Sequence, residues 1–264
     1  MEHHEGADVY YQYCTAFPVG TLIAQTWDTG CMEAFGQAVA EEMAEFRVDL
    51  WLAPGMNIQR NPLCGRNFEY YSEDPILAGR TAAAVTRGVQ SKPGCGVTIK
   101  HFACNNQEDN RMGVDCRVSP RALREIYLRG FEIAVKTAAP KAIMTSYNKV
   151  NGVHAPNRRD LCTTVPREEW GFDGIIMTDW ATTTPDGGSS PWMCAEAGND
   201  LIMPGLNCDV KDIRRAARFT TTSILFSVKT CSMSALSAIL PLMNVQSFDR
   251  PSISFSRSYL RLTS

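Results

Sequence analysis

The most informative part of this sequence is the stretch Gly171-Phe172-Asp173-Gly174-Ile175-Ile176-Met177-Thr178-Asp179-Trp180. Its glycine-containing turn leads into apolar and β-branched residues, a pattern that predicts a buried strand. The strand ends on a carboxylate followed by a large aromatic ring. In a parallel α/β barrel the carboxyl ends of the strands face the active site, so an acid beside a flat ring there suits sugar chemistry. The alternative is an aspartate that caps the next helix or turn.

Strands and helices are predicted to alternate along the chain. Helices are expected at 32–46, from a cap at Asp74 to Gln90, from Ser119-Pro120 to about Ala138, and up to Trp170. The predicted strands are 48–53, 96–102, 142–147, 174–179 and 200–203. Alternation of this kind indicates parallel pairing through helical crossovers.

The predicted fold class is therefore α/β, a (β/α)8 TIM-type barrel. A closed barrel needs eight strands, and the segment 9–17 is a candidate for one more. We expect a barrel domain over residues 1–217 that is incomplete at its front.

The segment 218–264 differs in composition from the rest. Between residues 213 and 264 there is a single acid, Asp249, and no glycine. This shift favours an atypical tail, either disordered or frame-shifted, and a peripheral helix over 223–243 is the alternative. The uncharged run 230–248 contains Pro241 and several serines, so we do not expect a membrane span.

Composition excludes several classes of partner. The net charge is −2, which favours neither nucleic acid nor an acidic membrane. Ten cysteines without a C-x-x-C motif, and a start that lacks a secretory pattern, predict free thiols and a cytoplasmic protein. His3, His4 and His154 have no neighbours at metal-ligand spacing, so neither a metal nor another cofactor is expected.

Polar clusters follow four of the predicted strands. Because strand-end loops of a barrel converge on one pocket, these clusters are expected to meet. They contain Arg66, then Lys100 and His101 with Asn105 to Arg111, then Met144, Tyr147 and Asn148, and finally Asp179 and Trp180. Arginine and lysine donate hydrogen bonds to hydroxyl groups and lower the pKa of a nearby carboxylate, which would keep Asp179 ionised as a nucleophile.

Each of these residues also has a structural explanation. Arg66 can pair with Glu69 or Glu73 in its own loop, and His101 can be a satisfied structural histidine. Tyr147 can be a core residue whose hydroxyl bonds to the backbone. Glu73-Asp74 is expected to cap a helix.

Five motifs together resemble glycoside hydrolase family 3, and most closely its bacterial β-glucosidases. The resemblance runs from about Thr15 to Ala217. The motifs are Gly65-Arg66-Asn67-Phe68-Glu69-Tyr70-Tyr71-Ser72-Glu73-Asp74-Pro75, Lys100-His101-Phe102-Ala103, Met144-Thr145-Ser146-Tyr147-Asn148, Asn151-Gly152, and Gly171-Phe172-Asp173-Gly174 with Thr178-Asp179-Trp180.

The resemblance implies a role for each site residue. Asp179 would be the nucleophile of a retaining mechanism on short β-glucosides. Arg66, Lys100 and His101 would bind hydroxyl groups of the sugar, with the Lys100-His101 peptide in the cis form. Tyr147 would lie near the nucleophile, and Met144 and Trp180 would line the pocket.

The resemblance also leaves gaps. In the family's two-domain glucosidases the acid/base glutamate lies in a domain after the barrel, and no residue of this chain is assigned that role. Asp8 does not match the family's upstream substrate-binding aspartate. Cys104-Asn105-Asn106 after the Lys-His-Phe step argues against the family's β-N-acetylglucosaminidases. The remaining alternatives are a β-xylosidase or another exo-β-glycosidase, and a catalytically impaired fragment that at most binds glucose.

Overall fold

A computed structural model describes residues 2–3, 10–11, 13–184 and 187–217, with side chains from residue 13 onward. The α-helices are α1 Gly20–Ala24, α2 Thr29–Glu45, α3 Pro75–Gln90, α4 Pro120–Ala122, α5 Arg129–Ala138, α6 Pro191–Ala197 and α7 Asn207–Ala217. The strands are β1 Glu2–His3, β2 Tyr10–Tyr11, β3 Leu50–Trp51, β4 Gly96–Phe102, β5 Asp115–Cys116, β6 Ala142–Thr145, β7 Lys149–Val150, β8 Val153–His154 and β9 Ile175–Met177. The predicted tail 218–264, with its alternative helix 223–243, and the run 230–248 lie outside the described residues.

A parallel sheet of four strands in the order β3-β4-β6-β9 forms the centre of the fold. Each strand lies next to its predecessor along the chain, with a helical segment between them, as the alternating pattern predicts. Residues 96–99 of β4 are all buried, which is typical of a parallel strand covered on both faces. The predicted α/β class with a parallel sheet is confirmed.

The predicted strand at 200–203 is reduced to one parallel bridge between Met177 and Leu201. Tyr10–Tyr11 pairs antiparallel with Glu2–His3 and does not join the parallel sheet, so the expectation for 9–17 is wrong within the described residues. Residues 13–17 contain no strand. Within the described part of the chain, the sheet therefore has four strands and a single bridge from β9 to Leu201, and it does not form a closed ring.

Side-chain caps fix the starts of the two longest helices. Asp74 Oδ1 accepts hydrogen bonds from the amides of Ile76 at 2.6 Å and Leu77 at 3.3 Å, so its predicted capping role is confirmed. Asp28 Oδ1 caps α2 in the same way, at 2.8 Å from the Gly30 amide. Helix α2 therefore begins before the apolar stripe at Met32, because the capping residue and not the first apolar residue sets the start.

Two helical segments depart from the predicted regular α-helix. Leu123–Tyr127 is a π-helix between α4 and α5, closed by a hydrogen bond from the Leu128 amide to the Leu123 carbonyl at 2.9 Å. Asp160–Glu169 is also a π-helix and contains Pro166, which has no amide hydrogen to donate. Periodicity alone did not predict either wide turn, since Leu123 in the first and Leu161, Cys162 and Val165 in the second stay buried.

None of the helices within the described residues is long and apolar enough to cross a membrane.

Helices α2 and α3 approach each other closely through glycine. A Cβ atom on Gly88 would lie 2.2 Å from the Glu33 carbonyl oxygen, and one on Gly36 would lie 2.4 Å from the Val85 carbonyl oxygen. Both obstacles are backbone atoms, which cannot rotate away. The close crossing keeps α2 against α3, and α3 itself packs against β4.

We predict that Gly88→Ala destabilises the protein. Alanine gains about 1 kcal/mol of helix propensity, but overpacking against a backbone oxygen costs up to about 3 kcal/mol, so the net loss is about 2 kcal/mol. Urea unfolding measures this free energy. Gly65→Ala is the matched control, because its Cβ would find only Glu108 side-chain atoms at 3.8 and 3.9 Å. Equal stability of the two variants would contradict the close crossing.

Candidate active site

The predicted site residues sit at or just after the carboxyl ends of neighbouring strands. Lys100 and His101 lie near the end of β4, Met144 in β6, and Asp179 two residues after β9. His101 Nε2 lies 3.6 Å from Asp179 Oδ2, and Lys100 Nζ lies 3.9 Å from Glu69 Oε2. Arg66 Nε contacts the other oxygen of Glu69. The clusters after β3, β4 and β9 therefore meet at the carboxyl ends of the strands, as expected.

Asp179 is buried, with a relative exposure of 6 %. Its Oδ1 accepts a hydrogen bond from the Trp180 amide at 2.7 Å. Its Oδ2 is also buried and has no hydrogen-bond partner among the described residues. One carboxylate oxygen is thus fixed by the backbone, and the other accepts no hydrogen bond from the described residues, with His101 Nε2 at 3.6 Å.

The net pKa of Asp179 lies above its ordinary value. Burial is the largest cause, and it outweighs the lowering by the Trp180 amide, the Tyr147 hydroxyl and the charges of Arg66 and Lys100. The expectation that arginine and lysine lower the pKa of this carboxylate is right for their individual effects. The expected net direction is wrong, because sequence spacing does not show how deeply the carboxyl group is buried.

His101 is a buried, neutral imidazole. Burial, followed by the charges of Arg66, Lys100 and Arg111, lowers its pKa well below its ordinary value. Its contact with Asp179 is therefore a polar contact and not an ion pair. The cis peptide bond expected at Lys100–His101 is present, and Phe102–Ala103 is cis as well.

The His101 ring and backbone are both held by hydrogen bonds. The Tyr70 hydroxyl lies 3.2 Å from Nδ1 and receives a hydrogen bond from Asn105 Nδ2 at 2.9 Å, so its own proton is free to point at Nδ1. That arrangement places the imidazole proton on Nε2, facing Asp179. The Asn57 amide exchanges two 2.8 Å hydrogen bonds with the His101 backbone.

Lys100 and Arg66 share the carboxylate of Glu69. Burial lowers the pKa of Lys100, and the Glu69 charge opposes that effect. The structural explanation for Arg66, a pair with Glu69 in its own loop, is therefore correct. The two cations together carry more positive charge than Glu69 neutralises, so a positive field reaches Asp179.

Tyr147 is held by the backbone and by a guanidinium group. Its hydroxyl donates to the Trp180 carbonyl oxygen at 2.7 Å, as the structural explanation expects. The Arg111 guanidinium lies 4.3 Å from the centre of its ring. Burial, and then the nearby Asp179 charge, raise the pKa of Tyr147 to about 12. The hydroxyl therefore stays protonated beside the carboxylate.

Met144 and Trp180 differ in exposure. Met144 is 2 % exposed and packs in a small core cluster with Met177 and Met203. Trp180 is 50 % exposed, directly beside Asp179. The half-exposed indole is the one that offers an open ring face to a ligand.

Sequence reasoning assigned no site role to Glu69, Tyr70 and Asn57. Glu69 and Tyr70 lie inside the motif Gly65 to Pro75. The charge of Glu69 and the hydroxyl group of Tyr70 were the features from which a site role could have been predicted. Asn57 carried no signal, because its hydrogen bonds to the His101 backbone join segments far apart in the chain. In the described ranges, no group of three or more histidine, cysteine, aspartate or glutamate side chains is placed to hold a metal ion.

The site lies at the carboxyl ends of parallel strands and combines a buried carboxylate, two cations, a neutral imidazole and a half-exposed indole. These are features of a carbohydrate-active α/β enzyme. The comparisons with known proteins agree with this class. The profile described as glycosyl hydrolase family 3 N terminal domain matches residues 1–222. The chain belongs to glycosyl hydrolase family 3.

Curated relatives in the family are named for activities on different sugars. Over 190 residues the chain is 50 % identical to an exo-α-(1→6)-L-arabinopyranosidase of Bifidobacterium longum, covering 72 % of this chain and 24 % of the relative. It is 50 % identical over 189 residues to β-glucosidase A of Butyrivibrio fibrisolvens, covering 72 % and 22 %. The chain therefore spans about a quarter of the length of these relatives.

A solved structure also resembles the chain. β-Glucosidase 3B of Thermotoga neapolitana, in complex with glucose, superposes with a TM-score of 0.81 at 44 % identity. The match covers 97 % of this chain and 36 % of that protein.

We predict that Asp179→Asn stabilises the protein at neutral pH. A carboxyl group whose pKa is raised by folding binds more protons in the native state, so its contribution to stability falls as pH rises from its unfolded pKa through its folded pKa. The variant should therefore unfold at a higher temperature than the parent near about pH 7, and the difference should shrink towards about pH 4. Thermal unfolding followed by circular dichroism at several pH values measures it.

Asp173→Asn is the matched control, since Asp173 is an exposed aspartate just before the same strand. It should show no such pH-dependent gain. A lower melting temperature for Asp179→Asn at neutral pH would contradict the raised pKa of Asp179.

Proposed function

We propose that this chain is the catalytic barrel portion of a retaining β-glucosidase that releases terminal glucose from short β-glucosides. The observation that carries the proposal is the position of Asp179, which is buried 3.6 Å from His101 Nε2 within the field of Arg66 and Lys100, with Oδ2 accepting no hydrogen bond. Family membership and the β-glucosidase relatives support the same assignment. We also propose that the parallel sheet is part of a (β/α)8 barrel. The cytoplasmic location expected from the sequence stays a prediction.

In this proposal Asp179 Oδ2 attacks the anomeric carbon. The bond from that carbon to the leaving oxygen breaks, and a covalent glycosyl-enzyme forms, which water then hydrolyses. The charges of Arg66 and Lys100 favour the ionised form of Asp179, and substrate hydroxyl groups would compete with Glu69 for both cations. Trp180 offers a wall on which an apolar sugar face can stack.

Protonation of the leaving oxygen is not assigned to any residue of this chain. General acid catalysis is typically worth about 10²–10⁴-fold in rate. A substrate whose leaving group departs as a stable anion avoids this step. The nucleophile can therefore be tested separately from the acid/base.

We predict that 2,4-dinitrophenyl 2-deoxy-2-fluoro-β-D-glucoside labels Asp179. The activated phenolate leaves without a proton, and the fluorine slows hydrolysis of the glycosyl-enzyme so that it accumulates. After trypsin digestion, mass spectrometry should find the fluoroglucosyl group on the peptide that begins at Glu168, with fragmentation placing it on Asp179.

Asp173→Asn should be labelled like the parent, whereas Asp179→Ala should not be labelled. An adduct on another carboxylate would overturn the assignment of Asp179. No adduct at all, in a chain that still unfolds cooperatively, would favour the impaired fragment that at most binds glucose.

A second candidate substrate is an α-L-arabinopyranoside, because one of the relatives at 50 % identity carries that activity in its name. L-Arabinopyranose lacks the hydroxymethyl carbon of glucose. Its 4-hydroxyl group also has the opposite configuration to that of glucose. The same site residues would serve either sugar, and the difference lies in the room for the hydroxymethyl carbon and in the contacts to the 4-hydroxyl group.

We predict that kcat/KM is higher for p-nitrophenyl β-D-glucoside than for p-nitrophenyl α-L-arabinopyranoside. The two substrates share the leaving group, so any difference between them reports on recognition of the sugar. p-Nitrophenyl β-D-xyloside tests the β-xylosidase alternative in the same series. A higher value for either pentoside would replace glucoside as the proposed substrate.

A further inference from the structure

A chain of polar contacts leads from a partly exposed ion pair to the ring of His101. Arg111 Nη1 donates to Glu108 Oε2 at 3.0 Å, and Glu108 Oε1 accepts from Asn105 Nδ2 at 2.9 Å. The same Asn105 nitrogen donates to the Tyr70 hydroxyl at 2.9 Å, and that hydroxyl lies 3.2 Å from His101 Nδ1. Tyr70, Asn105 and His101 are buried. This polar chain, from Arg111 to His101, therefore connects the interior of the candidate site to its outside.

The inner members of the polar chain can bond in either direction. A tyrosine hydroxyl both donates and accepts, a carboxamide has a donating nitrogen and an accepting oxygen, and a neutral imidazole carries its proton on either nitrogen. His101 is such a neutral ring, because burial lowers its pKa. In one direction His101 Nδ1 accepts from Tyr70, and the ring proton lies on Nε2. In the other direction Nδ1 donates, and Nε2 has only a lone pair.

Glu108 decides between the two directions. An ionised carboxylate accepts hydrogen bonds and cannot donate them, so Asn105 must turn its nitrogen towards Oε1. The second hydrogen of that nitrogen is directed to the Tyr70 oxygen, and the Tyr70 proton is left to point at His101. Turning the amide over would set Asn105 Oδ1 against Glu108 Oε1, and two facing acceptors repel each other.

The orientation of Asn105 leaves one of its own atoms unsatisfied. Asn105 Oδ1 is buried and accepts no hydrogen bond from the part of the chain that the structure describes. A buried acceptor without a donor is unfavourable for folding. The amide nevertheless keeps its nitrogen towards Glu108 and Tyr70, so these two contacts outweigh the unsatisfied oxygen.

The inner end of the polar chain faces the proposed nucleophile. His101 Nε2 lies 3.6 Å from Asp179 Oδ2. With the proton on Nε2, the ring presents a donor to this oxygen and to a sugar hydroxyl group bound beside it. With the proton on Nδ1, a lone pair would face the carboxylate oxygen, and the two acceptors would repel each other.

We propose that Glu108 is a positioning residue that fixes the ring proton of His101 on Nε2 through Asn105 and Tyr70. It acts through the direction of the hydrogen bonds between these residues, without contact to a substrate. The use of the proton in sugar cleavage rests on the proposed function, whereas the position of the proton does not. The two proposals can therefore fail separately.

Nitrogen NMR of the full 264-residue chain tests the position of the proton. In long-range ¹H–¹⁵N correlation spectra, protonated and unprotonated ring nitrogens have well-separated shifts. At about pH 8.5 an ordinary histidine is neutral, so a ring held in one tautomer shows one nitrogen of each kind. We predict that His101, assigned by the loss of its signals in His101→Asn, carries its proton on Nε2. His154 should show the opposite pattern, because its Nδ1 lies 3.0 Å from the Tyr147 carbonyl oxygen, which only accepts.

Glu108→Gln tests control from the outer end of the polar chain. Glutamine can donate an amide proton to Asn105, which lets the Asn105 amide turn over and reverses the direction of the hydrogen bonds. We predict that the ratio of the Nε2–H to the Nδ1–H form of His101 falls at least about tenfold, because a hydrogen bond to a charged group is lost. Asp109→Asn is the matched control, since it makes the same acid-to-amide change at the neighbouring exposed residue. It should leave His101 as in the parent.

A proton on Nδ1 of His101 in the parent would overturn the proposal. An unchanged His101 pattern in Glu108→Gln, or an equal change in Asp109→Asn, would overturn it as well. The His154 pattern reports that each variant is folded. Should Glu108→Gln not fold, Glu108→Ala removes the acceptor without adding a donor, and the same ratio should fall. None of these measurements depends on sugar hydrolysis.

Discussion

The candidate site depends on the burial of one carboxylate within a positive field. Asp179 loses hydration at the end of β9, and the Trp180 amide together with the charges of Arg66 and Lys100 recovers only part of that loss. His101 does not supply a charge, because its own burial and the same two cations keep it neutral. The balance explains why the cations are needed even though the net pKa of Asp179 is raised, because without their charges that pKa would lie higher still.

The positions of these groups follow from the sheet and from hydrogen bonds that leave little freedom. Parallel pairing of β4, β6 and β9 brings the ends of separate strands to one edge, where His101 and Asp179 face each other across the position of β6. Asn57 fixes the His101 backbone, and Tyr70 with Asn105 fixes its ring. Because side chains locked by their neighbours lose little entropy when a ligand binds, such a shell favours recognition by a preformed site.

Much of this arrangement was predictable from local patterns, and the rest was not. The bounds of β4 and the Asp74 cap followed from a short apolar run and from a capping residue before proline. The convergence of Arg66, Lys100, His101 and Asp179 followed from strand-end topology. The π-helical turns, the reduction of 200–203 to one bridge, and the role of Asn57 depend on contacts between distant segments. The net direction of the Asp179 pKa shift depends on depth of burial, which charge spacing cannot give.

The unbonded Oδ2 of Asp179 makes stability and the proposed chemistry oppose each other. A buried carboxylate oxygen without a donor is unfavourable for folding, and a hydrogen bond from a neighbouring side chain would relieve that cost. The same hydrogen bond would draw electron density from Oδ2 and make it a weaker nucleophile. Tyr147 lies close enough to act as such a donor, yet its hydroxyl is directed to the Trp180 carbonyl oxygen. The fold thus directs the Tyr147 hydroxyl to the backbone and leaves Oδ2 with only the longer 3.6 Å approach of His101 Nε2. Folding stability alone does not favour this distribution, whereas it keeps the electron density that attack on a sugar carbon uses.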